Sequence, residues 1–360
     1  MYKRQADNSP KPQTREVRSL LDYVLEKDPR HPGANHYYIH LTEAVHPQLA
    51  VPSADRLNDL EYPSGHLIHM PSHVYIRVGR FADAYDMNLR SIAADEEYIA
   101  ACNVQGLYPA IYYPHNIHFL WFVAMMEGKS ESAIASSKKL EQKVPFAMME
   151  AVPMIELFKP IEILTLVRFG KWDQILNTPR PDVTFKYSNN MWRYAWGMAY
   201  AKKGQVEKAK EQLEALQKGL EDPELRDVDD PQFPTILSSE IAIDLLKAEI
   251  EGLKGNLDKK IKLLESAVAG QDQLIYMEPP LFFYETRLSL ADAKMEVGRY
   301  DEAEKIYRED LLSFPANGWA LKGLENILNA QGKSVESDSV KDKFELAWRN
   351  ADVKIEKAVF

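Results

Sequence analysis

Histidine is the residue type whose placement in this sequence most clearly suggests chemistry. The chain has 360 residues and nine histidines, all of them between positions 31 and 118. Neutral imidazole is a good ligand for Zn, Cu, Fe and Ni, whereas Mg and Ca prefer oxygen ligands, which are scarce around these histidines. The uneven distribution therefore points to a transition-metal or catalytic site in the N-terminal third of the chain.

Within this region, the histidines recur at helical spacing. Two of them, His31 and His46, each precede a proline and are predicted to lie at helix boundaries. The other seven, together with one glutamate, form three groups that each fall on one face of a helix. The groups are His36, His40 and Glu43; His66, His69 and His73; and His115 and His118.

If the helices that carry these groups are neighbours, their histidine faces converge on one pocket. We therefore predict a transition-metal site, with Zn, Cu or Fe as the candidate ions. The predicted ligands are His36, His40, His69, His73, His115 and His118. Glu43 is predicted to act as a ligand, as a partner that orients a histidine, or as a catalytic general base. With an open coordination position, such an ion polarises a carbonyl, activates water or handles oxygen.

Two alternatives remain open at this stage. The histidines can instead serve packing and capping, in which case they bind no ion. Pro71 interrupts the middle group, so it either kinks that helix and frees a carbonyl near the histidines, or it starts a new helix.

Composition excludes several classes of protein. Lys and Arg total 44 against 54 Asp and Glu, and no basic run is dense enough to bind nucleic acid. No apolar run approaches the ~20 residues of a membrane-spanning helix. A single cysteine, Cys102, rules out internal disulfides and thiolate zinc clusters.

A glycine-centred frame recurs along the chain. Six glycines each follow a helical stretch, usually with a bulky residue two positions later and alanine five positions later: Gly79, Gly128, Gly170, Gly204, Gly255 and Gly298. Glycine accepts positive φ at the end of the first helix, and alanine lets the second helix approach closely. The frame predicts repeated helix-turn-helix pairs with almost no β-structure.

The segments RYAWGMAYAKKGQVEKAKEQLEAL and LSLADAKMEVGRYDEAEKIYREDLLSFP carry this frame best. Through them the chain resembles the tetratricopeptide repeat (TPR) family, which implies an all-α solenoid of antiparallel helix pairs. Only the interval from Gly170 to Gly204 equals the 34-residue period of that family, so the repeat lengths are predicted to be irregular. We predict a flexible tail over residues 1–14, histidine-rich helical repeats over 15–140, and TPR-like repeats with a C-terminal cap over 141–350.

The segments HPGANHYYIHLTEA, PSGHLIHMPSHVYIRVGRF and YYPHNIHFLWF also resemble a histidine-rich group of bacterial TPR proteins without an assigned activity. Membership of that group implies a longer parent with further N-terminal repeats. The first residues, MYKRQADNSPKPQTRE, have no apolar segment and so do not form a signal peptide, and the compartment stays open.

Two functions follow from these observations. The histidine cluster favours a metal-dependent protein, including an enzyme that acts on a small organic molecule. The repeat fold favours a non-enzymatic scaffold that binds a protein or peptide in its concave groove. For that scaffold, Arg193, Tyr200 and Arg287 are the predicted peptide-binding residues.

Overall fold

The computed structural model describes residues 11–60, 63–104, 106, 108–144, 149 and 153–360. Most of the predicted N-terminal tail therefore lies outside the described residues. The chain divides into two compact units, Met1–Val123 and Ala124–Phe360, called here the first and second unit. The predicted domain boundary at residue 140 stays a prediction.

The described part of both units is built from helices. In chain order they are α1 (Thr14–Lys27), α2 (Pro32–Thr42), α3 (Pro47–Asn58), α4 (Gly65–His69), α5 (Pro71–Tyr75), α6 (Phe81–Cys102), a π-helix (Tyr108–Tyr112), α7 (Tyr113–Met126), α8 (Ser130–Lys143), a 3₁₀ helix (Pro153–Phe158), α9 (Ile161–Arg168), α10 (Trp172–Ile175), α11 (Lys186–Lys202), α12 (Val206–Leu220), a 3₁₀ helix (Pro223–Val228), α13 (Thr235–Leu253), α14 (Leu257–Gln271), α15 (Arg287–Glu296), α16 (Tyr300–Ser313), α17 (Gly318–Ala330) and α18 (Ser334–Ala347).

The pattern in the second unit is a series of antiparallel helix pairs. Helix α11 packs on α12, α13 on α14, α15 on α16, and α17 on α18. All six glycines of the predicted frame have φ between 62° and 80°, the left-handed conformation that ends a helix. Among the described residues, the only β-structure is an isolated bridge between Asp230 and Phe233. The predicted all-α fold of adjacent helix pairs is confirmed for the described residues.

Small residues let the helices of the second unit approach closely. Ala199 of α11 and Ala209 of α12 are fully buried. A Cβ on Gly197 would collide with Leu246 of α13, so this glycine is what permits α11 and α13 to pack together. Close helix contact of this kind explains why small residues recur in the best repeat segments.

The first unit places the histidine-bearing helices around one core. Helix α2 packs on α3, α3 on α5, and α6 on both α4 and α5. Ile39, Ala54, Val74 and Ala84 fill the space between these helices and are fully buried. The short helices α4 and α5 are therefore held from two sides.

Proline sets the helix boundaries of the first unit. His31 immediately precedes α2, and its Nδ1 accepts a hydrogen bond from the Ala34 backbone N–H. His46 immediately precedes α3, so both boundary predictions are confirmed. Helix α4 ends at His69 and α5 begins at Pro71, where the missing N–H is tolerated. Pro71 thus starts a new helix. Within the part of the chain that the structure describes, no helix has the length and apolar character needed to cross a membrane.

Candidate metal centre

His69 and His73 form the centre of the histidine cluster. His69 is the last residue of α4 and His73 lies within α5, and the packing of α6 against both helices buries the two rings. Their Nε2 atoms are 3.0 Å apart. What occupies the space between these two nitrogens depends on which nitrogen of each ring carries the proton.

Asn88 of α6 determines the tautomer of His69. The Asn88 Nδ2 donates to the Ser72 Oγ at 2.9 Å and to the Ala84 carbonyl at 2.7 Å. Its Oδ1 must therefore be the atom that faces His69 Nδ1, at 2.7 Å. Because an amide oxygen only accepts hydrogen bonds, His69 Nδ1 carries the proton and donates it, which leaves Nε2 with a free lone pair.

Glu43 lies close to both His73 and His40. This buried carboxylate, at the end of α2, has its Oε2 3.4 Å from His73 Nδ1, and its Oε1 accepts a hydrogen bond from His40 Nδ1 at 3.2 Å. The hydrogen bond fixes the Nδ1–H form of His40, whereas the longer contact leaves two forms of His73. The 3.0 Å contact of the two Nε2 atoms is a hydrogen bond to His69 when His73 carries its proton on Nε2, and a pair of facing lone pairs when His73 carries it on Nδ1.

A third histidine completes this group. His115 of α7 is half-buried, and its ring centroid lies 4.9 Å from that of His69 and 5.7 Å from that of His73. One ligand atom from each of His69, His73 and His115 falls within 4.8 Å of the others. Such a set of three imidazoles is compact enough to surround one ion.

A second group of three lies beside the first. His36 and His40 of α2 and His66 of α4 are half-buried, and their ligand atoms also lie within 4.8 Å of one another. The Nε2 atoms of His36 and His66 are 3.3 Å apart. Among the described residues, a further combination with this spacing is His40, Glu43 and His73, so the two groups adjoin at Glu43.

Burial and mutual repulsion keep His66, His69 and His115 neutral. Burial, followed by the nearby charges of His73 and His115, holds the pKa of His69 well below 6.5. Burial, followed by the charge of His73, does the same to the pKa of His115. Burial and then His40 lower the pKa of His66 to about 4. Neutral imidazole is the form that binds metal ions.

Sequence reasoning identified most of this cluster. The structure brings His36, His40, Glu43, His69, His73 and His115 together. His118 is not in any of the three compact groups: it is buried and stacks on Trp121, with ring centroids 5.0 Å apart, and burial lowers its pKa to about 3. His66 was missing from the predicted ligand set, although its spacing of three residues from His69 could have identified it as a ligand. Asn88 had no such signal.

The predicted peptide-binding residues lie in the second unit and already have local partners. Arg193 Nη1 donates to Gln212 Oε1 at 2.8 Å, and Arg287 Nη2 pairs with Asp272 Oδ1 at 2.6 Å. The Tyr200 ring packs against Trp196. A cavity of about 320 Å³ in this unit is lined by other described residues, among them Arg168, Tyr194 and Asp292. The peptide-binding role of the three residues stays a prediction.

Comparisons with known proteins add little to this geometry. No protein-family model and no curated protein matches the chain. A solved structure that matches is described as "Structure of Naa15/Naa10 bound to HypK-THB", with 18% sequence identity and a TM-score of 0.28. The match covers 94% of this chain and 40% of that one, so the chain spans less than half the length of its neighbour. At this TM-score the likeness supports no argument about function.

Proposed function

We propose that the first unit binds a first-row transition-metal ion through His69, His73 and His115, and that an open coordination position lets the ion act on a small molecule. The observation that carries this proposal is the compact arrangement of the three rings: one nitrogen of each lies within 4.8 Å of the others, and the Nε2 atoms of His69 and His73 are 3.0 Å apart.

The separation suits a metal ion. Zinc to imidazole bonds are about 2.0–2.1 Å, so two nitrogen ligands are about 3.3–3.4 Å apart in a tetrahedral site and about 2.9 Å apart at right angles. The observed 3.0 Å between the Nε2 atoms of His69 and His73 falls between these values and corresponds to a nitrogen–metal–nitrogen angle slightly above 90°. An ion therefore needs little movement of either ring.

A proton is the competing occupant. In metal-free protein the neutral Nε2–H form of His73 donates to the Nε2 of His69. Metal binding requires the Nδ1–H form of His73, whose proton faces the Glu43 carboxylate 3.4 Å away. Burial opposes the charged form of His69 and His115, whose pKa values are held well below 6.5, so both rings are neutral ligands at neutral pH.

Three protein nitrogens also suit a reactive ion. Catalytic zinc sites use three protein ligands and keep a fourth position for water or substrate, whereas structural sites are closed by four. His115 is half-buried, unlike His69 and His73, so the open position is expected on the His115 side. Glu43 contacts Nδ1 of both His40 and His73, which supports an orienting role for this carboxylate; its catalytic role stays a prediction.

Metal analysis of purified protein tests the proposal. Protein prepared without chelators and dialysed against Zn²⁺, Cu²⁺, Fe²⁺ or Ni²⁺ should retain at least one ion per chain. The variant His69→Ala/His73→Ala should bind this ion more than ~100-fold more weakly, because two of its three ligands are gone. His46→Ala is the matched control, since His46 is an exposed histidine of the same unit.

The outcome that contradicts the proposal is stoichiometric binding of none of the four metals by wild-type protein. Equal affinity of the double variant would contradict it as well. Since His69 and His73 are buried, His115→Ala provides a second variant with a half-buried residue, and circular dichroism verifies the helical content of each.

The scaffold function remains the alternative. It predicts that a protein partner is recovered with wild-type chain and lost with an Arg193→Ala/Tyr200→Ala/Arg287→Ala variant. The contacts of Arg193 with Gln212 and of Arg287 with Asp272 use donors that a peptide would need. For this reason the metal site is the better-supported function.

A further inference from the structure

The histidine cluster contains more donors than one ion uses. Beside His69, His73 and His115 lies the second group, His36, His40 and His66, with equally compact ligand atoms. A tetrahedral ion takes four ligands, and six imidazoles exceed that number. The three imidazoles of the second group therefore either bind no ion or form the ligand set of another ion.

The ring nitrogens of the second group are arranged as donors. Glu43 Oε1 lies 3.2 Å from His40 Nδ1 and accepts a hydrogen bond from it, which places the lone pair of His40 on Nε2. The ring centroids of His40 and His36 are 4.8 Å apart. At most one of the facing Nε2 atoms of His36 and His66, 3.3 Å apart, can carry a proton. The group thus offers at least two lone pairs, and a third when an ion displaces the shared proton.

We infer that the cluster holds two transition-metal ions, one on His69, His73 and His115 and one on His36, His40 and His66, and that the Glu43 carboxylate links the two sites. This inference rests on the proposed function, because it keeps the first site and adds the second. The link is direct: the two oxygens of Glu43 contact one histidine of each site, His73 through Oε2 and His40 through Oε1.

Elementary electrostatics gives Glu43 a clear role between two ions. An ion on Nε2 withdraws electron density from the ring, so the Nδ1–H becomes a stronger donor to the carboxylate. One negative charge between two dications also reduces their repulsion. Replacing Glu43 should consequently weaken both sites, although Glu43 binds neither ion.

The two proposed sites differ in how deeply their ligands are buried. The first site has two buried ligands and one half-buried ligand, whereas all three ligands of the second site are half-buried. A chelator approaches from solvent, so it should remove the ion on His36, His40 and His66 first. Chelation of the loaded protein should therefore proceed in two phases.

A one-ion arrangement is the competing account. His40, Glu43 and His73 also have ligand atoms within 4.8 Å of one another, so a single ion could use the carboxylate itself as a ligand. In that case His36 and His66 would be dispensable, and Glu43 would be essential.

The test counts Zn²⁺ ions per chain by mass spectrometry after equilibrium dialysis of full-length protein. Wild type should hold two. His36→Ala/His66→Ala should hold one, because the first site is untouched, and both residues are half-buried, so the fold should tolerate the change. Glu43→Gln should weaken both sites, because the negative charge between them is lost, and should weaken by about 10–100-fold the site whose histidine faces the amide NH₂, which cannot accept a hydrogen bond. His46→Ala is again the control and should hold two.

The results separate the hypotheses. Two ions in wild type, one in His36→Ala/His66→Ala and biphasic chelation support the inference. One ion in wild type that is insensitive to His36→Ala/His66→Ala overturns it and leaves the proposed function intact. If that single ion disappears in Glu43→Gln but is kept by His115→Ala, the one-ion arrangement on His40, Glu43 and His73 is correct. Absence of any ion from wild type overturns both proposals.

Discussion

Asn88 shows how one side chain outside the metal ligands can control the site. Its amide donates twice, to Ser72 and Ala84, and accepts once, from His69. This complete set of hydrogen bonds fixes the orientation of the amide, and the amide fixes the tautomer of His69. Partners of this kind commonly tune metal affinity as strongly as some ligands do.

We expect Asn88→Ala to weaken metal binding. The variant leaves the Nδ1–H of His69 without its acceptor, so metal affinity should fall by about 10–100-fold. Loss of three buried hydrogen bonds should also lower the free energy of unfolding by about 1–3 kcal/mol. Zinc titration and urea unfolding measure the two effects.

Asn189→Ala provides the matched control in the second unit. Asn189 is also buried, and its Nδ2 donates to the carbonyls of Asp182 and Phe185. This variant should lose comparable stability and keep wild-type metal affinity. If Asn88→Ala and Asn189→Ala bound zinc equally well, Asn88 would have no role in positioning His69.

Sequence alone could identify the histidines but not the residues that orient them. His36, His40, His69 and His73 were recognisable because imidazole is rare and their spacing matches a helix face. Asn88 is one asparagine in a long helix, and nothing in its neighbourhood marks it as the partner of a ring 19 residues earlier. The tautomer of His69 and the 3.0 Å approach of the Nε2 atoms of His69 and His73 required coordinates.

Helix α4 is the element that joins the two groups of histidines, because it carries both His66 and His69. Its first residue, Gly65, lies against Asp95 of α6. Ser91 donates from its Oγ to the Gly65 carbonyl at 2.8 Å. Asp95 is fully buried and accepts hydrogen bonds from the Tyr108 hydroxyl at 2.6 Å and from Asn116 Nδ2 at 2.7 Å, so it has no room to move.

We expect Gly65→Ala to displace α4. The new Cβ would collide with the Asp95 carboxylate, and overpacking of this kind costs about 1–3 kcal/mol. Because α4 carries His66 and His69, zinc affinity should fall together with stability. Isothermal titration with Zn²⁺ and thermal unfolding check both.

Gly33→Ala is the control in the first turn of α2, which carries His36 and His40. A Cβ there meets only the His31 ring at ordinary contact distance, 3.4 Å, so the variant should bind zinc as wild type does. Wild-type zinc affinity in Gly65→Ala would mean that the position of α4 does not control the site.

Element boundaries divide into those that sequence specifies and those it leaves open. The six turn glycines were predictable because positive φ at a helix end strongly favours glycine, and all six have it. The sequence left two interpretations of Pro71, a kink within one helix or the start of a new helix. The choice of a new helix follows from packing, because α5 lies against α3 and α6.

On the scale of the whole chain, both compact units are helical but only the first contains histidine. The helix-pair fold was predictable from the glycine frame and the best repeat segments, since both depend on local backbone preference and close packing. The convergence of three histidine faces depends on which helices are neighbours. Contacts of α4 and α5 with α6, which sequence spacing does not encode, decide that point.

Buried neutral histidines predict an acid-sensitive first unit. The pKa values of His69 and His115 are held well below 6.5, and that of His66 is lowered to about 4. As pH falls below 6.5, the unfolded chain takes up protons that the folded chain does not. Stability is therefore complete above pH 6.5 and decreases towards pH 4, by about 1.4 kcal/mol per pH unit for each such histidine.

Urea unfolding of metal-free protein between pH 7.5 and pH 4.5 measures this loss. The part of the transition that belongs to the first unit should move to lower urea concentration on acidification, and Zn²⁺ should oppose the shift at pH 6 and above. A first unit whose stability is constant between pH 6.5 and pH 5 would show that the histidines are not held in the neutral form.

Long-range ¹H–¹⁵N NMR spectra of the histidine side chains, recorded without metal and with Zn²⁺, test directly whether these rings hold an ion. We expect His69 to carry its proton on Nδ1 in both states, and Zn²⁺ to shift the Nε2 resonances of His69 and His73 and to place the His73 proton on Nδ1. A proton on Nε2 of His69, or Nε2 resonances of the two rings that do not respond to Zn²⁺, would contradict metal binding at this site.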